Sequence, residues 1–130
     1  NIMELSDLKN KSILETSGGE KGRAMTARAF AQSPKLILMD EPIAAMDINH
    51  QIKLMKTIEK TKDKSFIIVL HDLNLASAFA DKIALMKEGQ IVALGRPEEV
   101  INAENIRQVY EVQVDVITKD GRPFIIPKYK

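Results

Sequence analysis

Leu36-Ile37-Leu38-Met39-Asp40-Glu41-Pro42 is the stretch whose reading decides the fold. Four apolar residues follow one another without alternation and stop at two carboxylates and a proline. Such a run predicts a strand buried on both faces, as in a parallel sheet covered by helices. Proline ends it, and the carboxylates stand at the carboxyl end of the strand, where α/β proteins bind their ligands.

Working outward, Phe66-Ile67-Ile68-Val69-Leu70 is a second run of the same kind, followed at once by His71-Asp72. Between the two runs, Ile48, Ile52, Met55 and Ile58 recur at helical intervals, with Asp47 or Asn49 as the cap and Lys60 and Lys62 at the far end. Upstream, Ser17 and Glu20 form a capping-box pattern ahead of an Ala-rich helix that Pro34 closes at about Gln32 or Ser33. Residues 1–14 read as the end of a helical region followed by a turn. Downstream, a short helix carries Leu75, Ala76, Phe79 and Ala80. Ile83-Ala84-Leu85-Met86 and Ile91-Val92-Ala93-Leu94 then form a hairpin with Gly89 in its turn. Pro97 and Glu104 to Tyr110 open short helical pieces, and Val112, Val114 and Val116 alternate as an edge strand. Asp120-Gly121 turns the chain into Phe124-Ile125-Ile126. The succession predicts an α/β fold with an antiparallel addition near the end.

Composition narrows the function classes. Nineteen Lys and Arg balance eighteen Asp and Glu, for a formal charge of +1, which gives no support for a nucleic-acid surface. Cysteine is absent and the two histidines, His50 and His71, form no ligand cluster. The longest strongly apolar runs are about five residues, far short of the roughly 20 that a membrane span needs.

Chemistry concentrates at four places. In a nucleotide hydrolase, two carboxylates such as Asp40 and Glu41 divide the work: one supports Mg²⁺ and the other positions and polarises water. The same pair also arises by chance where a strand meets a loop. Ser17-Gly18-Gly19 at a helix start has the form of an anion site, with outward N–H groups and no side chain in the way; an ordinary capped turn reads identically. His71 should lie beside Asp40 and Glu41 if the two strands are neighbours, there to bond a phosphate oxygen or hold water, although a strand-end histidine is more often a surface residue. Asp47, taken alone, reads as a cap. His50 is assigned no chemistry.

Taken in order, Thr16-Ser17-Gly18-Gly19-Glu20, Leu36 to Pro42, Ala44-Ala45-Met46-Asp47 and Leu70-His71-Asp72 closely resemble the motif set of ABC ATPases. The likeness runs from about Met3 to Leu94. Asp47-Ile48-Asn49-His50-Gln51 and the stretch 93–100 look particularly like importers of iron chelates, haem or cobalamin. The resemblance implies a partial P-loop NTPase with a three-layer core, a mostly parallel sheet and a C-terminal antiparallel hairpin. It makes residues 1–130 one domain portion: 1–33 the end of a helical subdomain with the signature loop and helix, and 34–130 the Walker B strand, switch and C-terminal part. It assigns Ser17, Gly18 and Gly19 to the loop that contacts the γ-phosphate held by an opposite subunit. Asp40 becomes the Mg²⁺-supporting aspartate, Glu41 the catalytic base, Asp47 the aspartate that communicates across a dimer, and His71 the switch histidine.

The cofactors implied are ATP and Mg²⁺ in an intact dimer. The implied partners are a phosphate-loop half, a second ATPase subunit and a transmembrane permease, which would hold the protein in the cytoplasm at the inner face of the membrane. Three departures stand out: Thr16 where Leu is usual, Gly22 where Gln or Arg is common, and Ile43-Ala44 in place of Thr-Ser. The sequence contains no phosphate loop with its Lys-Ser/Thr pair, so a truncated product, a split gene or an expressed fragment is expected, inactive alone. The alternative is a non-catalytic interaction or regulatory module that keeps the same geometry.

Overall fold

The computed structural model describes residues 5, 6 and 9–129. The helical end expected over 1–14 lies partly outside them. The described chain is α/β and divides into two compact units, Asn1–His71 and Asp72–Lys130.

The first unit opens on a 3-10 turn at Ile13–Glu15, capped by Ser12. Helix α1 (Gly18–Ala31) follows, then strand β1 (Leu36–Asp40), helix α2 (Ile48–Lys60) and strand β2 (Ser65–Val69). Ser17 caps α1 with the full capping box that Glu20 predicts, and Gln32 ends it two residues before Pro34. Asp47 rather than Asn49 caps α2. The strands pair in parallel, Leu36 opposite Ser65 through Asp40 opposite Val69, so both chains leave the sheet at the same end.

The two apolar runs are not buried on both faces as expected. Ile37 and Met39 are buried, together with Ile43, Met46, Leu54 and Met55. Their neighbours Leu36, Leu38, Ile67 and Val69 are exposed, at 49%, 70%, 59% and 50%. The reason is layering. Strand side chains alternate between faces, and among the described residues only one face of this pair is covered. Phe30 of α1 sits 5.6 Å from Phe66 on the covered side. Ile48 likewise departs from the expected helix stripe: it is the first residue of α2 and is 77% exposed, while Leu54 and Met55 carry the buried face.

The second unit runs through α3 (Leu73–Phe79), β3 (Ile83–Lys87), β4 (Gln90–Gly95), α4 (Pro97–Val100), α5 (Ala103–Tyr110), β5 (Val114–Lys119) and β6 (Arg122–Pro127). Both antiparallel pairs are hairpins whose tight turns, Glu88-Gly89 and Asp120-Gly121, hold both central residues at positive φ. That geometry matches the right-handed twist of the strands and explains the glycines. Residue 92 has no partner in the β3–β4 register, which shifts between Leu85 and Met86. The core joins Ile83, Leu85, Val100, Ile101, Ile106, Val114 and Ile125.

Candidate nucleotide-contact site

All the predicted site residues lie in the first unit, on the ends of its elements. At the carboxyl end of the sheet, Asp40 closes β1 opposite Val69, and the Glu41 N–H donates to the Val69 carbonyl at 3.1 Å, one step beyond the ladder. Glu41 then adopts a left-handed backbone, φ 45°, which turns the chain sharply into Pro42. The second strand ends at Val69, and His71 arrives two residues later. Its ring Nε2 stands 2.6 Å from Glu41 Oε1. Both side chains remain open to solvent, His71 at 80% and Glu41 at 42%. The pair is therefore a reachable carboxylate whose direction is set by an imidazole. Parallel pairing is what unites residues thirty positions apart. Asp40 is exposed beside them.

The second grouping is built around Ser17. Its hydroxyl accepts from the Glu20 N–H at 3.2 Å, and Glu20 Oε2 accepts from the Ser17 N–H at 2.7 Å. The Ser17 N–H, with Lys11 3.3 Å from the other carboxylate oxygen, holds the Glu20 carboxyl below the usual range. The loop after Glu41 packs directly on this helix start. A Cβ placed on Gly19 would lie 2.6 Å from the Ala45 carbonyl oxygen, so only glycine admits the loop at that distance. Gly22 faces the end of Met46, whose methyl lies 3.6 Å from where a Cβ would stand, and Met46 is buried. The departure at Gly22 thus accompanies a side chain that fills the space.

Between the two segments lies a cavity of about 310 Å³. From α1 and its cap it is lined by Ser17, Gly18, Gly19, Glu20 and Arg23, and from the loop and α2 by Ala45, Met46, Asp47 and His50. Asp47 Oδ1 accepts from the His50 N–H at 2.9 Å, and its Oδ2 lies 2.8 Å from His50 Nδ1. Those two contacts, the backbone one first, hold the Asp47 carboxyl below the ordinary aspartate range.

Sequence reasoning missed Arg23 and His50 as members of this wall. Arg23 Nε is buried with no hydrogen-bond partner among the described residues. The available signals were spacing alone: Arg23 stands six residues after Ser17, and His50 three after the cap Asp47. A helix start with unpaired N–H groups, an arginine and a glycine-lined wall can receive an anion. Magnesium characteristically takes one or two protein carboxylates and completes its shell with water and phosphate oxygens. Asp40 fits that pattern, and no group of three or more His, Cys, Asp or Glu able to enclose a metal occurs among the described residues.

Comparison with known proteins bears on the family and the fold. The sequence model of the ABC transporter family matches residues 1–44. The chain is 38% identical over 128 residues to the hemin import ATP-binding protein HmuV of Thermobifida fusca, covering 95% of this chain and 45% of that one. It is 34% identical over 123 residues to the petrobactin import ATP-binding protein YclP of Bacillus subtilis, covering 92% and 49%. In fold it resembles an ABC transporter solved in an inward-facing conformation, with a TM-score of 0.82 at 22% identity, over 98% of this chain and 54% of that chain. The chain spans about half the length of the curated relatives it matches. It belongs, as part of a domain, to the ABC transporter ATP-binding family.

Proposed function

We propose that the chain is the C-terminal portion of an ATP-hydrolysing subunit that energises a membrane importer, with an iron chelate or related metal complex as cargo. Residues 1–33 would supply the signature loop and helix, and 34–130 the Walker B strand, the switch and the C-terminal part. The observation that carries the reading is the 2.6 Å contact of His71 with Glu41 at the end of the parallel pair. Similarity to import ATP-binding proteins for hemin and petrobactin supports the cargo class.

In this reading Glu41 orients a water and takes its proton, while His71 fixes the carboxylate and offers a hydrogen bond to a terminal phosphate oxygen. Ser17, Gly18 and Gly19 point donors at the phosphate of a nucleotide held by a second subunit, and Asp47 meets that subunit across the interface. Asp40 would support Mg²⁺, which supplies charge neutralisation at the phosphates when bound. No helix among the described residues is long and apolar enough to cross a membrane; attachment at the inner face would come through a permease.

The test is complementation. Mixing the chain with the phosphate-loop half of a relative should produce Mg-ATP turnover that neither part shows alone. Glu41→Gln should reduce it by about 10²–10⁴-fold, the range of general-base catalysis. A folded, tightly associated pair without turnover would instead make the chain a non-catalytic interaction module.

A further inference from the structure

The loop at 41–47 carries Glu41 at one end and Asp47 at the other, yet its backbone makes few bonds of its own. Ala44 N–H donates to the Glu41 carbonyl at 3.1 Å and Met46 N–H to the Ile43 carbonyl at 3.0 Å. The Glu41 N–H is tied back to the Val69 carbonyl at 3.1 Å, and the side-chain bonds to the loop come from two consecutive residues of α2. Gln51 Nε2 donates to the Met46 carbonyl at 2.9 Å and the Ile43 carbonyl at 3.3 Å, spanning the turn from below. His50 Nδ1 stands 2.8 Å from Asp47 Oδ2, while the His50 N–H occupies Oδ1. The ring is 22% exposed and the carboxylate 63%, so the more enclosed partner is the imidazole. An exposed aspartate held by one backbone bond keeps rotamer freedom; a second bond to a ring seated in the cavity wall removes it. A neutral ring with its proton on Nδ1 is sufficient to donate.

We propose that His50 and Gln51 are positioning residues, His50 fixing the Asp47 carboxylate and Gln51 fixing the turn at 43–46. Their role in nucleotide chemistry rests on the function proposed above; the brace itself does not. It gives a common role to two neighbouring polar side chains that both bond the same short loop. It also ties the cavity to the sheet rim. The carbonyl of Ala45 that excludes a side chain at Gly19 sits between the two carbonyls that Gln51 holds. The charged groups that share the cavity wall with this pair are Glu20 and Arg23 of α1.

The test uses the 130-residue chain without nucleotide. Carboxyl ¹³C shifts should show Asp47 titrating below the ordinary aspartate range. His50→Ala should move that midpoint up; His50→Asn, whose amide reaches the Nδ1 position, should restore it, and His50→Gln, whose amide reaches the Nε2 position, should not. Gln51→Ala should speed amide exchange at Ala44 and Met46 about tenfold while Leu54 and Met55 in α2 keep their protection, as expected for a lost pair of hydrogen bonds. An unmoved Asp47 midpoint in His50→Ala, or equal rescue by Asn and Gln, overturns the role of His50. Unchanged exchange in Gln51→Ala overturns that of Gln51. Because no readout involves ATP, these outcomes stand apart from success or failure of the complementation assay.

Discussion

At the scale of one residue, Gly19 sets how closely the loop can approach the start of α1. Its missing side chain is where the Ala45 carbonyl lies, 2.6 Å from any Cβ, and that neighbour is backbone. Gly19→Ala should therefore cost about 1–3 kcal/mol in denaturant unfolding, the usual penalty for overpacking. Gly18→Ala, whose Cβ meets only the Ala45 methyl at 3.4 Å, should cost far less and serves as the control. Asp47 gives a pH prediction. Its carboxyl is held below the ordinary value by the His50 N–H and ring, so its contribution is complete above the unfolded aspartate pKa of about 4 and is lost as pH falls through the lower, folded value. Asp47→Asn keeps the cap but cannot titrate. The stability advantage of the natural chain over Asp47→Asn should shrink on acidification below that range, followed by urea midpoints against pH. Residues of this kind differ in how far sequence exposes them. Ser17, Glu20 and Asp47 are legible because a cap bonds to amides two or three places away. Arg23 and His50 were not, because the cavity wall they share forms only where the start of α1 meets the loop and α2, more than twenty residues apart in the chain.

Elements behave in the same way. The turns at Glu88-Gly89 and Asp120-Gly121 were legible because only certain residues accept positive φ at both centres. The bond between α3 and β6 was not, since nothing local announces it. Asn74 Nδ2 donates to the Ile125 carbonyl at 3.0 Å and its Oδ1 accepts from the Ile125 N–H at 2.7 Å, so one amide side chain replaces a neighbouring strand. The fully buried Ser77 hydroxyl donates to the Pro123 carbonyl, and Arg122 returns a bond to the Ala80 carbonyl at 3.1 Å. Asn74→Ala would leave both backbone groups of a buried residue unpaired. Unfolding of the second unit should be easier by about 1–3 kcal/mol, with faster exchange of the Ile125 amide. Asn74→Asp retains the acceptor alone and should fall between, measured by the same exchange.

For the whole molecule, the α/β class and the rim that unites Glu41 with His71 could be read from two apolar runs and the polar residues that end each. Burial could not. An apolar run states what a strand can bury, and the layers present decide what it does bury. Leu36, Leu38, Ile67 and Val69 make a contiguous exposed apolar face on the parallel pair, Leu38 directly opposite Ile67. A face of this kind attracts a partner, and a net charge of +1 offers little repulsion against a second copy. The isolated chain should therefore self-associate as concentration rises, seen as a growing mean mass in sedimentation or light scattering. Leu38→Lys with Ile67→Glu places opposite charges across the register, which avoids a like-charge penalty between the strands. That double variant should remain monomeric at concentrations where the natural chain does not, with unchanged far-ultraviolet circular dichroism. If it associates as strongly as the natural chain while keeping its fold, the contact lies elsewhere and this face is not what draws copies together.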